Sequence, residues 1–163
     1  FQNKSITLVQ TFENKINEKL IVKSRNVTQK RLELCGIKKI EEIIIPHKEN
    51  ILCNKIQICI NRNVDIILII GPHAITHIKD VIPNAISKSR AKIIRFGIPV
   101  EPGNLLLLSK FKSSNKDIYI IGMPSCAKSP KENGLDWVLW RILCNINFKN
   151  SNLNELSVGG LIK

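Results

Sequence analysis

Apolar residues recur along this chain with two periods. Residues 66–70 form an unbroken run, Ile66-Ile67-Leu68-Ile69-Ile70, which Asp65 precedes and Gly71 ends. A short, continuous run of this kind predicts a strand over residues 65–70, covered on both faces of a parallel sheet. Residues 6–12, around Leu8 and Val9, predict another strand, as do residues 40–45, closed by Pro46, and residues 92–96. Residues 105–109 and 118–121 predict a hairpin across the polar turn Ser113-Ser114-Asn115-Lys116. Two other stretches follow the helical period. Leu52, Ile56, Cys59 and Ile60 predict a helix over residues 49–61. Leu135, Val138, Leu139, Ile142 and Leu143 give the final helix one apolar face, flanked by the packing residues Trp137 and Trp140.

The intervening segments are set by caps and breakers. Residues 14–23 are polar and mixed and read as an irregular connection, after which Asn26 caps a helix to Cys35 that Gly36 stops. A loop over residues 72–79 leads to a helix over residues 80–89, with Asp80 at its N-cap and Pro83 in its first turn. Ser129-Pro130-Lys131-Glu132 has the form of a capping box with proline at the first helical position. Strands alternating with helices, plus one hairpin, predict an α/β fold: a three-layer α/β/α sandwich with a mostly parallel sheet. A chain of 163 residues is expected to form one such domain, residues 1–163.

In these sheets ligands bind beyond the carboxyl ends of the strands. The loops after Ile70, Phe96 and Ile121 are expected to converge there. They are the Gly71 loop, the Pro99 to Asn104 segment containing Pro102-Gly103-Asn104, and Gly122-Met123-Pro124-Ser125-Cys126-Ala127-Lys128-Ser129-Pro130. A helix start at Ser129 would turn backbone N–H groups outward, which predicts a site for a phosphate or carboxylate.

Composition narrows the partners. Charge sums to +12, from 25 Lys+Arg against 13 Asp+Glu. The basic residues are scattered and aromatics make up 5%, so the charge reads as compositional bias in an Ile-, Lys- and Asn-rich chain and nucleic acid as a weak alternative partner. Five cysteines, an odd number with no CxxC, argue for a reducing, cytoplasmic setting and against both a disulfide framework and a zinc site. Cys35, Cys53, Cys59 and Cys144 read as small core residues. Cys126, ahead of a helix start where a thiol pKa tends to fall, reads as a ligand-loop residue rather than a nucleophile, because no His is near in sequence. No apolar run is long enough to span a membrane and no signal peptide opens the chain, so a membrane partner is not expected. The first residue is Phe1 rather than Met, and the chain is expected to be an excerpt of a longer polypeptide.

These motifs carry a resemblance. A buried strand ending in Gly71, a loop, and Asp80-Val81-Ile82-Pro83 resemble the molybdopterin-binding domain of the MoaB/Mog type, in which an Asp opens a helix in a DVTP pattern. Pro102-Gly103-Asn104 and Gly122-Met123-Pro124-Ser125-Cys126 resemble its Pro-Gly turn and its Leu-Pro-Gly-Asn/Ser-Pro loop. The segments GIPVEPGNLLLLS and GMPSCAKSPKENGLDWVLWR are similar to GMPVDPGNLLLLG and GLPGCARSPKxNGFDWVLQR. Those patterns occur in bacterial molybdenum cofactor biosynthesis proteins that also carry a nucleotidyltransferase domain. The resemblance runs from Gln10-Thr11 through Val158-Gly159-Gly160, with Val158 to Lys163 expected to link to a following domain.

The resemblance implies a domain that binds molybdopterin or its nucleotide form during cofactor assembly. It implies adenylyl transfer from Mg-ATP, molybdate insertion, or a non-catalytic carrier role beside a nucleotidyltransferase domain. It also makes a homo-oligomer an expectation. The residues it marks for substrate are Gly71, His73, Ala74, Pro102, Gly103, Asn104, Gly122, Pro124, Ser125, Cys126 and Ser129. Asp80 is the catalytic and magnesium-binding candidate, with a plain helix cap as the other reading. His73 and His77 either meet phosphate or pterin, or serve the surface. Two departures bear on catalysis more than on binding. Gly71-Pro72-His73-Ala74 stands where adenylyl-transferring relatives have Gly-Gly-Thr-Gly, and Pro72 lacks an N–H. Ser125 stands where glycine is usual.

Overall fold

The computed structural model describes residues 1–146 and 153–154. Its six strands are β1 (Ile6–Phe12), β2 (Glu41–Pro46), β3 (Ile66–Ile70), β4 (Lys92–Phe96), β5 (Leu107–Lys112) and β6 (Asp117–Gly122). The helices are α1 (Glu18–Glu33), α2 (Glu49–Asn61), α3 (Val81–Lys88) and α4 (Gly134–Leu143), with a 3-10 turn at Ser125–Lys128. The strands form one sheet in the order β2-β1-β3-β6-β5-β4. β2, β1, β3 and β6 are mutually parallel. β5 runs against β6, and β4 runs against β5, so β4 points the same way as the parallel strands. The predicted, mostly parallel sheet with one hairpin is the observed one; β5 is shifted towards the turn relative to residues 105–109, and β6 extends past residues 118–121 at both ends.

Side-chain alternation along the buried strands separates two cores. Leu8, Ile66, Leu68, Leu108 and Ile121 face α1 and α4, joining Leu32, Leu135, Val138 and Leu139. Val9, Ile67, Ile69, Leu107 and Ile120 face α2 and α3, joining Leu52, Ile56, Ile82 and Ile86. Because β3 is buried on both faces, its five apolar residues contribute to each core in turn.

The structure departs from the sequence expectation at three places. Helix α1 begins at Glu18, capped by the Asn17 side chain, which accepts from Leu20 N at 3.2 Å. The segment 14–23 hid this start because the buried face of α1 is largely polar: Ser24, Thr28, Arg31 and Leu32. A helix whose inner positions are small or charged shows no hydrophobic period to detect. Cys144 is exposed, while Cys35, Cys53 and Cys59 are buried as expected. Helix α4 begins at Gly134, with the capping box formed by Asn133 and Asp136. The segment Val158 to Lys163, expected to be a linker, lies outside the described residues.

Candidate functional site

The strand directions bring the loops after β1, β3, β4 and β6 to one edge of the sheet, where they form two different environments. The first is a cavity of about 280 Å³ between the ends of β1 and β3 and the first turns of α1. Gln10, Thr11, Ser24, Gly71, His73 and Lys128 are among its walls. Gly71 is closely packed: a Cβ there would lie 3.1 Å from Ile82 Cδ1 and 3.2 Å from the His73 carbonyl oxygen.

Polar groups on this cavity are unevenly satisfied. Gln10 Nε2 donates to Ile21 O and to Glu42 Oε1, at 3.0 and 2.7 Å. Thr11 Oγ1 lies 2.7 Å from His47 Nδ1 and donates to Ile70 O at 3.3 Å. Burial pulls the half-buried His47 below the usual histidine pKa. His73 Nε2 is 3.1 Å from Glu13 Oε2, an exposed contact that joins the β1–α1 loop to the β3–α3 loop. Lys128, at the end of the 3-10 turn, donates from Nζ to the carbonyls of Gly71 and Pro72, at 3.0 and 3.4 Å. It forms no ion pair with a described carboxylate, and burial pushes its pKa down. Ser24 is 1% exposed, and its hydroxyl has no hydrogen-bond partner among the described residues.

Asp80 sits at the N-cap position of α3, but its carboxylate does not cap the helix. Oδ2 accepts from Thr76 N and His77 N, at 3.0 and 2.9 Å, and so closes the preceding turn. His77 Nδ1 accepts from Lys79 N at 3.0 Å. Both side chains therefore organise their own loop. Ala74 is half-buried in the same loop, and the neighbouring Ile75 packs where a Cβ on Gly122 would come within 2.5 Å of it. Among the described residues no group of three or more His, Cys, Asp or Glu side chains is placed to hold a metal.

The second environment is a packed corner built by the other two motifs. Gly103 has φ of +124°, and a Cβ there would lie 2.5 Å from Gly134 N. Gly134 N donates to Pro102 O at 2.8 Å, and Asn104 O accepts from Ile98 N at 2.8 Å. The Asn104 side chain is exposed. At the start of α4, Leu135 N donates to Asn133 Oδ1 at 3.0 Å and Asn133 N donates to Asp136 Oδ2 at 2.8 Å. Arg31 forms a buried ion pair with Asp136 and donates to Ser129 O at 2.8 Å.

The predicted helix start at Ser129 is therefore replaced. Ser129 is extended, and its Oγ accepts from Lys131 N at 3.3 Å in a local turn. Glu132, the expected reciprocal cap, instead accepts from Trp137 Nε1 at 2.6 Å. The true helix start at Gly134 has its first N–H groups occupied and a buried carboxylate beside it, which disfavours an anion there. Gly122 and Pro124 are buried and Ser125 is exposed on the 3-10 turn. Cys126 is half-buried, and burial raises its thiol pKa, with a backbone hydrogen bond opposing the effect, so the shift is opposite to the depression expected.

Gly71 and His73 thus meet at the cavity, whereas Pro102 and Gly103 meet at α4. Sequence reasoning passed over Lys128, Ser24 and Arg31. Lys128 stood inside a recognised motif, in Cys126-Ala127-Lys128-Ser129-Pro130. Ser24 carried no signal of its own, because a serine on a polar helix looks solvated until the helix is packed.

The fold is shared with solved proteins. MoaB from Pyrococcus furiosus, a tungsten cofactor synthesizing protein, matches with a TM-score of 0.62 over 93% of this chain and 98% of its own, at 11% identity. The molybdopterin biosynthesis Mog protein from Mycobacterium ulcerans matches with a TM-score of 0.52 over 88% of this chain and 99% of its own, at 13% identity. At these identities the likeness is one of fold. No protein-family model and no curated protein sequence matches the chain.

Proposed function

We propose that this domain binds molybdopterin, a phosphate-bearing pterin, in the cavity between β1 and β3, as part of molybdenum or tungsten cofactor assembly. The observation that carries this reading is the position of the cavity. From β1 the chain crosses over α1 on one face to reach β2, and β3 then pairs on the other side of β1. The adjoining ends of β1 and β3 are therefore the topological switch point, where open α/β sheets bind ligands. The two solved proteins that share the fold are named for tungsten cofactor synthesis and for molybdopterin biosynthesis, and two long segments of this chain resemble the patterns of molybdopterin-binding domains.

The residues on the cavity fit such a ligand. The Ser24 hydroxyl and the Lys128 ammonium supply donors, and the apolar bodies of Phe12, Leu20 and Ile21 can cover a ring. The chain's part is to bind and orient the pterin. A carrier role, presenting it to a nucleotidyltransferase domain, is favoured over adenylyl transfer by two features. Pro72 offers no N–H where a glycine-rich loop would cradle phosphates, and Asp80 is engaged with its own loop.

Calorimetric titration with molybdopterin, with and without Mg-ATP, tests both levels of this reading. Binding without pyrophosphate release is the expected result. Failure of the folded domain to bind the pterin would overturn the proposal. Pyrophosphate release that disappears in Asp80→Asn would replace the carrier role with adenylyl transfer.

A further inference from the structure

We propose that Lys128, with Ser24 on the same cavity, is the anion anchor between β1 and β3 and takes the phosphate of a phosphomonoester ligand. This rests on the reading of that cavity as a ligand site, and it moves the phosphate away from the helix start at which the sequence placed it.

Lys128 lacks a counter-charge among the described residues. Its ammonium is half-buried and held only by the neutral carbonyls of Gly71 and Pro72, with no carboxylate paired to it among the described residues. A cation removed from water without such a partner is costly. The low pKa that burial imposes expresses that cost, and an anion in the cavity would relieve it. Glu13, the acidic side chain on the cavity wall, is already in contact with His73. The two carbonyls also fix the ammonium in place, so a ligand meets a positioned charge rather than a mobile one.

Ser24 is the second and independent observation. It comes from α1, a different element of the cavity lining, and its buried hydroxyl lacks a partner among the described residues. Buried hydroxyls in folded proteins are ordinarily hydrogen-bonded, so an unsatisfied one on a cavity wall points to a ligand acceptor. A tetrahedral oxyanion suits the pair. One oxygen accepts from the ammonium in a charge-assisted bond and another from the hydroxyl. A lysine acts on phosphate as a point charge and needs no planar partner, which distinguishes this site from a bidentate carboxylate clamp.

Lysine side-chain NMR of the intact domain, titrated with inorganic phosphate, provides the test. Phosphate is expected to move one lysine signal, which is absent in Lys128→Met and unaffected in Lys112→Met, an exposed lysine at the far end of β5. Molybdopterin is expected to displace the phosphate. Its affinity should fall roughly 10- to 100-fold in Lys128→Met and by less in Ser24→Ala, with Lys128→Arg close to the parent. If Lys128→Met fails to fold, the phosphate-dependent signal of the parent and the behaviour of Lys128→Arg decide the matter. A Lys128 signal indifferent to phosphate, or unchanged molybdopterin affinity in a folded Lys128→Met, would refute the anchor while leaving pterin binding intact. Phosphate binding at Lys128 with displacement by ATP and not by molybdopterin would support the anchor and overturn the pterin reading instead.

Discussion

Two corners of the same sheet edge share a composition and differ in what their polar groups do. Around Gly103, Asn133 and Asp136 nearly every donor and acceptor is used. Backbone closes on backbone, a cap is reciprocated, and Arg31 ties the corner to α1, its Nε having no partner among the described residues. Around Gly71, Ser24 and Lys128 a cavity opens, with an ammonium lacking a counter-charge and a hydroxyl lacking any partner among the described residues. Both corners are rich in Gly and Pro. The contrast shows that such loops mark places where backbone must approach backbone or ligand, and that only the satisfaction of the polar groups separates the two cases. A saturated corner serves the fold. An unsaturated one has capacity left for something else.

Breaking the saturated corner should have the largest effect. Arg31→Met leaves Asp136 buried without its partner, and a loss of about 3–5 kcal/mol in urea unfolding is expected. A small loss would mean that water already reaches this pair. Gly103→Ala comes next. Its positive φ and the approach of Gly134 N predict a cost of about 3 kcal/mol, combining strain with overpacking. Gly36 also has positive φ, but a Cβ there would meet nothing within 4 Å, so Gly36→Ala should cost only about 1 kcal/mol. Equal costs at the two glycines would remove close packing from the explanation.

The unsaturated corner should respond with the opposite sign. Ser24→Ala removes a buried hydroxyl that bonds to none of the described residues, so the ligand-free domain is expected to gain about 1 kcal/mol of stability. Thermal melting of the two proteins without ligand checks this, and destabilisation would show that the hydroxyl has a native partner. The smallest effect is a pH slope from His47. Its folded pKa lies below the ordinary 6.5, so the unfolded chain takes up the proton first. Stability should therefore fall as pH drops below 6.5 and level off once the folded histidine titrates. Urea midpoints at about pH 7.5 and about pH 5.5 should differ less in His47→Gln than in the parent.

Much of the architecture was legible in the order of residues. Ile66 to Ile70 announced a doubly covered strand, and Leu135, Val138, Leu139, Ile142 and Leu143 announced the inner face of α4. Periodicity works there because both elements bury apolar side chains, which is the property the period reports. It fails for α1, whose inward face is Ser24, Thr28 and Arg31. It also fails between Ser129 and Asn133, two rival caps on the way into α4. The first has the better local pattern, but Asn133 has the Arg31–Asp136 pair and the Gly103 contact behind it.

The sequence by itself determined the elements, the layers and the edge at which the loops gather, because these follow from where apolar residues fall and where glycine and proline interrupt them. The tertiary structure alone decided which of those loops is sealed and which stays open. That distinction depends on partners distant in sequence, Arg31 with Asp136 and Lys128 with the carbonyl of Gly71. Whether a buried polar group is satisfied is a property of the packed chain, and no local pattern of residues encodes it.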